Sequence, residues 1–407
     1  MKILFLSENF PPETNAAATR VFERAVYWAK WGHAVTVITS APNFPHGKLF
    51  EGYQNRWLQT EDMAGIRVVR VKTYISANRG VVRRSLDFLS FFVTGTLAGL
   101  VQERPDVVAA TSPQFFAAVA GWCVGAVRRI PFIFELGDLW PTSISAVGAL
   151  KKGMALGLME RLELFLYRRS AKVAALTHAF KRNLIGRGIE EAKVAVVLNG
   201  VDLPRYAPRP RDAALADEWG LTGKFVVGYF GTHGMAHGLI NVLDAAERLR
   251  DSGDIRFLFA GAGAERDMLM QAAEARSLGN VIFMPAQAKE TMPAVWSLCD
   301  VALVHLRDQP AFAEVIPSKI FEAMAMGLPI LLAAPKGEAA EIVEGHGAGR
   351  WVSPEAPEAL ADSVRALARD DTAREAMIAA ALKAAPGHSR ETQAHEMLAV
   401  FEGTIKP

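Results

Sequence analysis

The stretch AEVIPSKIFEAMAMGLPI, residues 313–330, places two carboxylates and one lysine around a proline. On one continuous helix, Glu314 and Glu322 would lie about 12 Å apart along the axis. Pro317 argues against such a helix, because proline favours a helix start and disfavours helical geometry in the residue before it. We therefore expect Glu314 in a loop and Glu322 in the first turns of the next helix, with Lys319 beside them. This set fits a ligand that carries hydroxyls and phosphate; a solvated loop with a helix-start glutamate is the alternative.

Two glycine-bearing loops precede this stretch, GYFGTHGMAHG at 228–238 and FAGAGAERD at 259–267. Each follows an apolar run that is typical of a strand and leads into a helical pattern. Glycine allows a close backbone approach to a phosphate, and a helix start supplies free amide donors. Glycines at strand ends also simply make turns, and that alternative stays open for the second loop. The residues that we assign to a diphosphate here are Gly231, Thr232, His233 and Gly234, and Gly261 of the second loop is a weaker donor-binding candidate.

The elements that position these loops follow a repeating pattern. KILFLS and HAVTVIT are short β-branched runs separated by a loop and the helical stretch TRVFERAVYWAKWG, which predicts a βαβ unit and a parallel sheet. Further strands are predicted at RVVRVKT, DVVAATS, FIFELGD, KVAALT and AVVLNG, and a second series at KFVVGYFG, IRFLFAGAG, NVIFMPA, VALVHL, PILLAA and GRWVS. The sequence therefore predicts an α/β protein with two doubly wound, Rossmann-like domains.

The two series are separated by residues 200–224, which are rich in Pro, Arg and Asp and contain no long apolar run. We place the N-terminal domain at 1–205 and the C-terminal domain at 206–390. We expect 391–407 to form a helix that packs back on the N-terminal domain. Tandem domains of this kind usually bind ligands in the cleft that faces the carboxyl ends of their strands.

The bulk composition narrows the classes of partner. Of 407 residues, 51% are hydrophobic and 22% are charged, as in a well-folded protein, and the net charge of +2 gives no reason to expect nucleic acid. The two cysteines, Cys123 and Cys299, lie in apolar surroundings and are expected to be reduced thiols of a cytosolic protein. The short apolar run in MKILFLSENFPP predicts a first strand and not a secretory leader.

One segment, LDFLSFFVTGTLAGLV at 86–101, resembles a membrane sequence but is shorter than the about 20 residues needed to span a bilayer. We expect a buried helix; the alternative is a helix at the lipid surface, next to Arg83 and Arg84. The stretch KKGMALGLMERLELFLYRRS is amphipathic, and its basic face is either solvated or docks on anionic lipid. The basic residues of that stretch are Lys151, Lys152, Arg161, Arg168 and Arg169.

The order and spacing of these motifs resemble those of the family 4 retaining glycosyltransferases, which have the two-domain GT-B architecture. The resemblance rests on Glu314-x7-Glu322 followed by AMAMGLPI, together with NFPPE, GHAVTVIT, LNGVDLPRY, FAGAGAERDML and CDVALVHL. It runs from about residue 1 to residue 403. DLWPTSI and NFPHGKLFEGYQNRW resemble a narrower bacterial branch that builds O-antigen, capsular and exopolysaccharides on lipid carriers.

The resemblance implies roles for the donor-side residues. Glu314 would hold hydroxyls of the donor sugar, and Glu322 would bind the ribose hydroxyls of the nucleotide. The backbone from Phe283 to Ala286, with Pro285, would flank the base. Amides near the sugar and the diphosphate would come from Val315, Ile316, Pro317 and Ser318.

The chain departs from the family pattern at one point. Many members carry an Arg and a Lys in the first loop of the second domain to grip the diphosphate, whereas the matching positions here are Thr232 and His237. A leaving diphosphate still needs compensating charge. We expect Lys319 to supply it as a catalytic residue, with His233 or His237 as hydrogen-bond donors.

The first domain is expected to bind the acceptor. Glu135 and Asp138 follow the strand FIFELGD, and we favour Asp138 for orienting or deprotonating the acceptor hydroxyl. An N-cap for the following helix is the alternative role of Asp138. Asn15, in the loop from Pro11 to Thr19, and Trp140 complete the acceptor-binding candidates.

The resemblance implies a retaining glycosyltransferase that needs neither an enzyme nucleophile nor a metal, and the sequence contains no Asp-x-Asp metal motif. We expect no cofactor, a UDP-linked and N-acetylated donor sugar, and a polyprenyl-diphosphate-linked saccharide acceptor. The enzyme would lie at the inner face of the cytoplasmic membrane. The alternatives are a non-catalytic sugar-nucleotide-binding partner subunit and a sugar-nucleotide epimerase of the same architecture.

Overall fold

The structure, a computed structural model of the chain, describes residues 1–44, 46–76, 81–112, 114–139 and 154–405. It divides into two compact units. Unit 1 comprises Met1–Asn199 and Arg390–Pro407, and unit 2 comprises Gly200–Ser389. The division thus falls at 199/200 and 389/390, where the sequence suggested 205/206 and 390/391.

Unit 1 contains an eight-stranded sheet with helices between its strands. The strands are β1 (Lys2–Leu6), β2 (Ala34–Ser40), β3 (Leu58–Met63), β4 (Ile66–Val71), β5 (Val107–Thr111), β6 (Phe132–Leu136), β7 (Lys172–Ala175) and β8 (Val194–Val196). Among the described residues of the segment Met1–Asn199, the helices are α1 (Ala16–Lys30), α2 (Val81–Val101), α3 (Phe115–Arg128), α4 (Met154–Arg169) and α5 (His178–Gly186).

The sheet order is β3-β4-β2-β1-β5-β6-β7-β8, and only the pairing of β3 with β4 is antiparallel. The chain reverses its winding between β1 and β5, which is the switch point where open α/β sheets bind ligands. The sequence did not predict β3, because LQTEDM has apolar residues only at its two ends and lies at an edge with alternate residues exposed.

Helix α2 differs from the buried helix that we expected. It extends over 21 residues, and only 22% of its apolar window Arg83–Val101, of mean hydropathy 1.2, is buried. Phe91 and Ala98 are buried, and an added Cβ at Gly99 would contact Val124 of α3, so one side of the helix packs on the unit. The other side exposes a row of apolar residues at helical spacing, Leu86, Leu89, Val93, Leu97 and Val101. Among the described residues, α2 is the single helix long and apolar enough to cross a bilayer by these two measures.

The strands of unit 2 are β9 (Phe225–Phe230), β10 (Ile255–Ala260), β11 (Val281–Met284), β12 (Val301–His305), β13 (Ile330–Ala333) and β14 (Gly349–Val352). Its helices are α6 (Ala213–Glu218), α7 (Ile240–Arg248), α8 (Arg266–Ala275), α9 (Met292–Trp296), α10 (Lys319–Met326), α11 (Glu338–Gly345), α12 (Pro357–Arg369) and α13 (Asp371–Ala384). The parallel order β11-β10-β9-β12-β13-β14 is the doubly wound order with its switch point between β9 and β12. The prediction of two doubly wound α/β domains is confirmed.

The chain returns to unit 1 in α14 (Arg390–Glu402), which packs on α1. Arg390 donates to Glu23 at 2.9 Å and to Asn199 at 2.7 Å. Trp28 donates its indole N–H to the carbonyl of Ala394 at 2.9 Å. These buried polar contacts fix the helix in register, and its apolar residues join the core of the unit.

Candidate functional site

The stretch that contains the paired glutamates is split between two elements, as the proline predicted. Glu314 ends a 3₁₀ turn, Pro310–Glu314, and Glu322 lies in the first turn of α10, and both are half-buried. The intervening segment Val315–Ser318 is non-helical up to the N-cap, Ser318, whose side chain makes no capping hydrogen bond. Both carboxylates thus belong to the region that enters α10.

Lys319, the first residue of α10, has an unusual environment. Its Nζ atom is buried and has no hydrogen-bond partner among the described residues. It lies 3.8 Å from the centroid of the Tyr229 ring, a cation–π contact. Burial lowers the pKa of Lys319 to about 7, although the charge of Glu322 opposes this. The site therefore holds an amine that gains a full positive charge most easily when an anion is present.

Gly231 provides the space for this amine. It follows β9 with φ at +129°, and a Cβ built there would lie 3.3 Å from Lys319 Nζ. A side chain at this position would be strained and would crowd the amine. The glycine therefore brings the backbone close to Lys319, at the carboxyl end of the strand beside the switch point.

His233 is the second unpaired polar group of the site. The side chain is fully buried, and neither ring nitrogen has a hydrogen-bond partner among the described residues. Burial lowers the pKa of His233 to about 4, and the charges of Arg266 and Lys319 add to the effect. The ring is thus neutral at pH 7 and can donate one N–H to a ligand.

His237 cannot provide the charge that the matching position supplies in many relatives. Its Nδ1 lies 3.4 Å from the carbonyl of His305, and Nδ1 of His305 lies 2.6 Å from the carbonyl of His237. A carbonyl only accepts, so both rings carry their proton on Nδ1. Burial lowers the pKa of His237 to about 3. Its Nε2 is therefore an acceptor, whereas the neighbouring Thr232 is exposed and can donate.

Gly261 has a packing role that the sequence left open. A Cβ at Gly261 would overlap the carbonyl oxygen of Gly231, and one at Gly263 would overlap that of His233. The amide of His233 donates to Ala262 at 2.9 Å. The loop after β10 thus supports the loop after β9, which is a sufficient reason for glycine at both positions.

Sequence reasoning missed one cation, Arg266, at the start of α8. Its Nε donates to the carbonyl of Gly261 at 3.2 Å, and its charge acts on His233. An arginine that opens the helix after a glycine-bearing strand end was the available signal. Beside it, Phe259 and Phe283 stack with centroids 5.0 Å apart, and Pro285 is exposed just after β11.

In unit 1, the carboxylate of Glu135 is occupied by arginines. It is fully buried and accepts from Arg20 Nε and Arg24 Nη2, both at 2.7 Å. Burial alone would raise the pKa of Glu135, but the two guanidiniums outweigh it and hold the pKa below its usual value. This geometry gives Glu135 a structural ion-pair role, in contrast to the acceptor-binding role expected from the sequence.

The remaining acceptor-side candidates are only partly described. Asp138 is half-buried two residues after β6, and its amide lies 3.3 Å from Ser112 Oγ. Asn15 is the N-cap of α1 and accepts from the amide of Ala18 at 3.0 Å, and its buried side-chain amide nitrogen has no hydrogen-bond partner within the described part of the chain. Trp140 lies outside the described residues, as do Lys151 and Lys152.

A buried acidic group at the end of β1 was also missed. Glu8 is 5% exposed, and its Oε2 atom has no hydrogen-bond partner among the described residues. Burial raises the pKa of Glu8 well above its usual value, with further contributions from Asp87 and Glu13. Burial likewise raises the pKa of Asp87 to about 7. The position directly after a central strand was the signal that could have identified Glu8.

Two families match the two halves of the chain. Residues 15–200 match the glycosyl transferase 4-like domain, and residues 214–384 match the glycosyl transferases group 1. Together these matches cover most of both units.

Individual relatives agree with this assignment. The chain is 27% identical over 90% of its length to the Escherichia coli protein described as a putative colanic acid biosynthesis glycosyl transferase WcaI, with 91% of that protein covered. It is 26% identical over 99% of its length to a GDP-mannose-dependent alpha-mannosyltransferase of Mycobacterium tuberculosis, 96% of which is covered. Among solved structures, Anabaena HepE in complex with UDP matches with a TM-score of 0.72 and 20% identity, covering 99% of this chain and 100% of HepE.

Proposed function

Since the chain belongs to the family 4 glycosyltransferases with the GT-B fold, we propose that it is a retaining enzyme with a UDP-sugar donor. In this proposal the donor sugar is N-acetylated, and the acceptor is a polyprenyl-diphosphate-linked saccharide. The product would be a precursor of a cell-surface polysaccharide. The reaction would take place at the inner face of the cytoplasmic membrane.

The observation that carries the donor proposal is the presence of both Lys319 and Glu322 in the first turn of α10. Side chains three residues apart lie on one helix face, about 5–6 Å from each other. In a nucleoside diphosphate, the ribose hydroxyls and the phosphates are neighbouring groups, so one ligand can reach both residues. A carboxylate accepts hydroxyls, and an unpaired buried ammonium favours an anion.

The leaving diphosphate needs charge stabilisation as its bond to the sugar breaks. Lys319 offers an ammonium, Arg266 a guanidinium, and His233 an N–H donor within the same loop region. These groups replace the Arg and Lys that many members carry in the loop after β9. We assign Lys319 to the diphosphate and Glu314 to hydroxyls of the donor sugar, with Asp138 orienting the acceptor hydroxyl.

Similar proteins support the choice of donor and pathway. HepE is described in complex with UDP and with UDP-glucose, and WcaI is named for colanic acid biosynthesis. The mannosyltransferase relative is named for GDP-mannose. The nucleotide is therefore the first property to test.

A thermal-shift screen with UDP-, GDP- and dTDP-sugars tests the donor, because a bound ligand stabilises by the logarithm of its concentration over Kd. We expect the largest increase in Tm with UDP-N-acetylhexosamines. Slow hydrolysis of the stabilising sugar nucleotide would show catalytic competence, and NMR of the released or transferred sugar would give the anomeric outcome. Binding without any hydrolysis or transfer would instead favour the non-catalytic partner subunit.

The membrane part of the proposal rests on the outer face of α2. Leu86, Leu89, Val93, Leu97 and Val101 are 42–74% exposed and follow helical spacing on a helix whose other side packs on unit 1. Such a helix lies in a bilayer surface with its apolar side inserted. Arg83 and Arg84 at its start are exposed and favour anionic lipid.

Sedimentation with phosphatidylglycerol-containing vesicles tests this surface. We expect Val93→Glu with Leu97→Glu to abolish co-sedimentation while donor binding is unchanged. Met268→Glu, at an exposed apolar residue of unit 2, is the matched control and should bind vesicles like the wild type. A wild-type protein that stays in solution with anionic vesicles at low salt would contradict the membrane proposal.

A further inference from the structure

Trp296, the last residue of α9, is fully buried and donates its indole N–H to the carboxylate of Glu322. The distance from Nε1 to Oε2 is 3.3 Å. The ring lies edge-on against Phe230, the last residue of β9, with centroids 4.5 Å apart. The indole is therefore held in place by packing, independently of any ligand.

Glu322 also has a cation within reach along its own helix. Lys319 lies three residues earlier, where a glutamate and a lysine ordinarily form an ion pair. Yet Lys319 Nζ has no hydrogen-bond partner among the residues that the structure describes and lies instead over the Tyr229 ring. The carboxylate accepts from the indole and the amine lies over the phenol ring, so the two opposite charges in the first turn of α10 do not form a hydrogen bond with each other.

We propose that Trp296 is a positioning residue that holds Glu322 away from Lys319, so that the two side chains bind different parts of one nucleotide. Glu322 is then available for the ribose hydroxyls, and Lys319 for the diphosphate. Without the indole N–H, the carboxylate turns to the ammonium, which neutralises the cation and occupies the acceptor. The inference rests on the proposed function, because it takes a uridine diphosphate as the ligand.

The variant Trp296→Phe tests this role, since it keeps an aromatic ring and removes the N–H. Affinities for UDP and 2′-deoxy-UDP are measured by calorimetry. We expect the wild type to bind UDP roughly 10-fold or more tightly than 2′-deoxy-UDP, because one hydrogen bond to a charged group contributes a factor of this size to the affinity. In Trp296→Phe this preference should fall to less than about 3-fold, because Glu322 pairs with Lys319.

A second readout is the pH dependence of UDP affinity. The titratable groups that act on or near Lys319 are Glu322, His233, His237 and His305. Burial lowers the pKa values of the three histidines to about 3–4, so they stay neutral above pH 7. In the wild type the affinity should weaken as Lys319 loses its proton. In Trp296→Phe the weakening should be several-fold smaller, because paired Glu322 keeps the ammonium charged.

Phe230→Leu is the matched control, because it disturbs the same ring contact and leaves the N–H. It should weaken UDP and 2′-deoxy-UDP equally and keep the wild-type pH dependence. If Trp296→Phe behaves in the same way, Trp296 only packs and the proposal is overturned. If Trp296→Phe does not fold, Glu322→Gln decides: it should remove the preference for UDP, and an unchanged preference overturns the proposal. A wild type that binds no UDP refutes the proposed function itself.

Discussion

The charge state of Lys319 leads to a prediction that can be worked out quantitatively. Its pKa of about 7 in the free protein means that half of the molecules carry a neutral amine at neutral pH. A diphosphate oxygen at about 4 Å would stabilise the ammonium by roughly 4 kcal/mol at an effective dielectric constant of 20. That is enough to keep the amine protonated in the complex up to about pH 9. Binding of UDP is therefore coupled to proton uptake.

The expected magnitude follows from the fraction of charged amine in the free protein. Between pH 7 and pH 9 the protonated fraction falls from about one half to about one hundredth, so the affinity should weaken roughly 50-fold, or about 2.3 kcal/mol. Below pH 7 the lysine is already charged and the affinity should level off. UDP completes its own ionisation near pH 6–7, which strengthens binding as the pH rises and so cannot cause the decline.

Isothermal titration calorimetry in two buffers of different ionisation enthalpy measures both quantities. We expect uptake of about half a proton per UDP at pH 7 and nearly one at pH 8.5. Lys319→Met, which keeps an unbranched apolar chain over Tyr229, should bind UDP weakly with no such pH dependence. An affinity that stays constant from pH 7 to pH 9 in the wild type, with no proton uptake, would refute the reasoning.

Three further predictions concern stability and can be checked by thermal and urea unfolding. Gly261→Ala should cost about 2–4 kcal/mol, because its Cβ overlaps the Gly231 carbonyl at a positive φ, whereas Gly279→Ala, with open space around its Cβ, should cost little. Glu135→Gln should lower the free energy of unfolding by about 3–5 kcal/mol, because it leaves the buried guanidiniums of Arg20 and Arg24 without their full charge partner. The control Asp362→Asn, in an exposed ion pair, should lower it by about 0.5 kcal/mol or less. Equal losses in the two variants would contradict the structural role of Glu135. Glu8→Gln should leave Tm unchanged near pH 4.5 and raise it at pH 8. The pKa of Glu8 is raised in the folded protein, so ionisation of this carboxyl destabilises the folded state only at pH values above the pKa of an unfolded glutamate. The same Tm difference between variant and wild type at both pH values would contradict this.

The fold was predictable because its strands are short apolar runs with helical patterns between them. Each predicted strand overlaps an observed one, since strands buried on both faces need a continuous apolar segment, but AVVLNG and IRFLFAGAG extend three or four residues past the ends of β8 and β10. The edge strand β3 carries no such signal and was missed. Helix α2 was assigned to the core because its composition is apolar, and composition alone does not show which apolar residues find a partner.

The candidate site was predictable where residues that are close in sequence determine its geometry. Pro317 separates Glu314 from Glu322 through its own backbone restrictions, so the sequence predicted that correctly. Other contacts of the site join residues that are far apart in sequence. These are the cation–π contact of Lys319 with Tyr229, the hydrogen bonds between His237 and His305, and the salt bridges of Glu135 with Arg20 and Arg24. Such pairings depend on which strand ends adjoin, and the sequence pattern alone left that open.

The arrangement around Lys319 has a physical cost that points to an anion. A buried ammonium without a hydrogen-bond partner destabilises the folded protein, and the lowered pKa of Lys319 reflects this loss of stability. Gly231 adopts a positive φ and leaves room beside the amine, and Trp296 donates to the carboxylate that could have paired with it. The buried amine weakens the empty site, and all three features would favour a complex with a diphosphate. A site built only for stability would have paired Lys319 with Glu322, which is three residues away on the same helix.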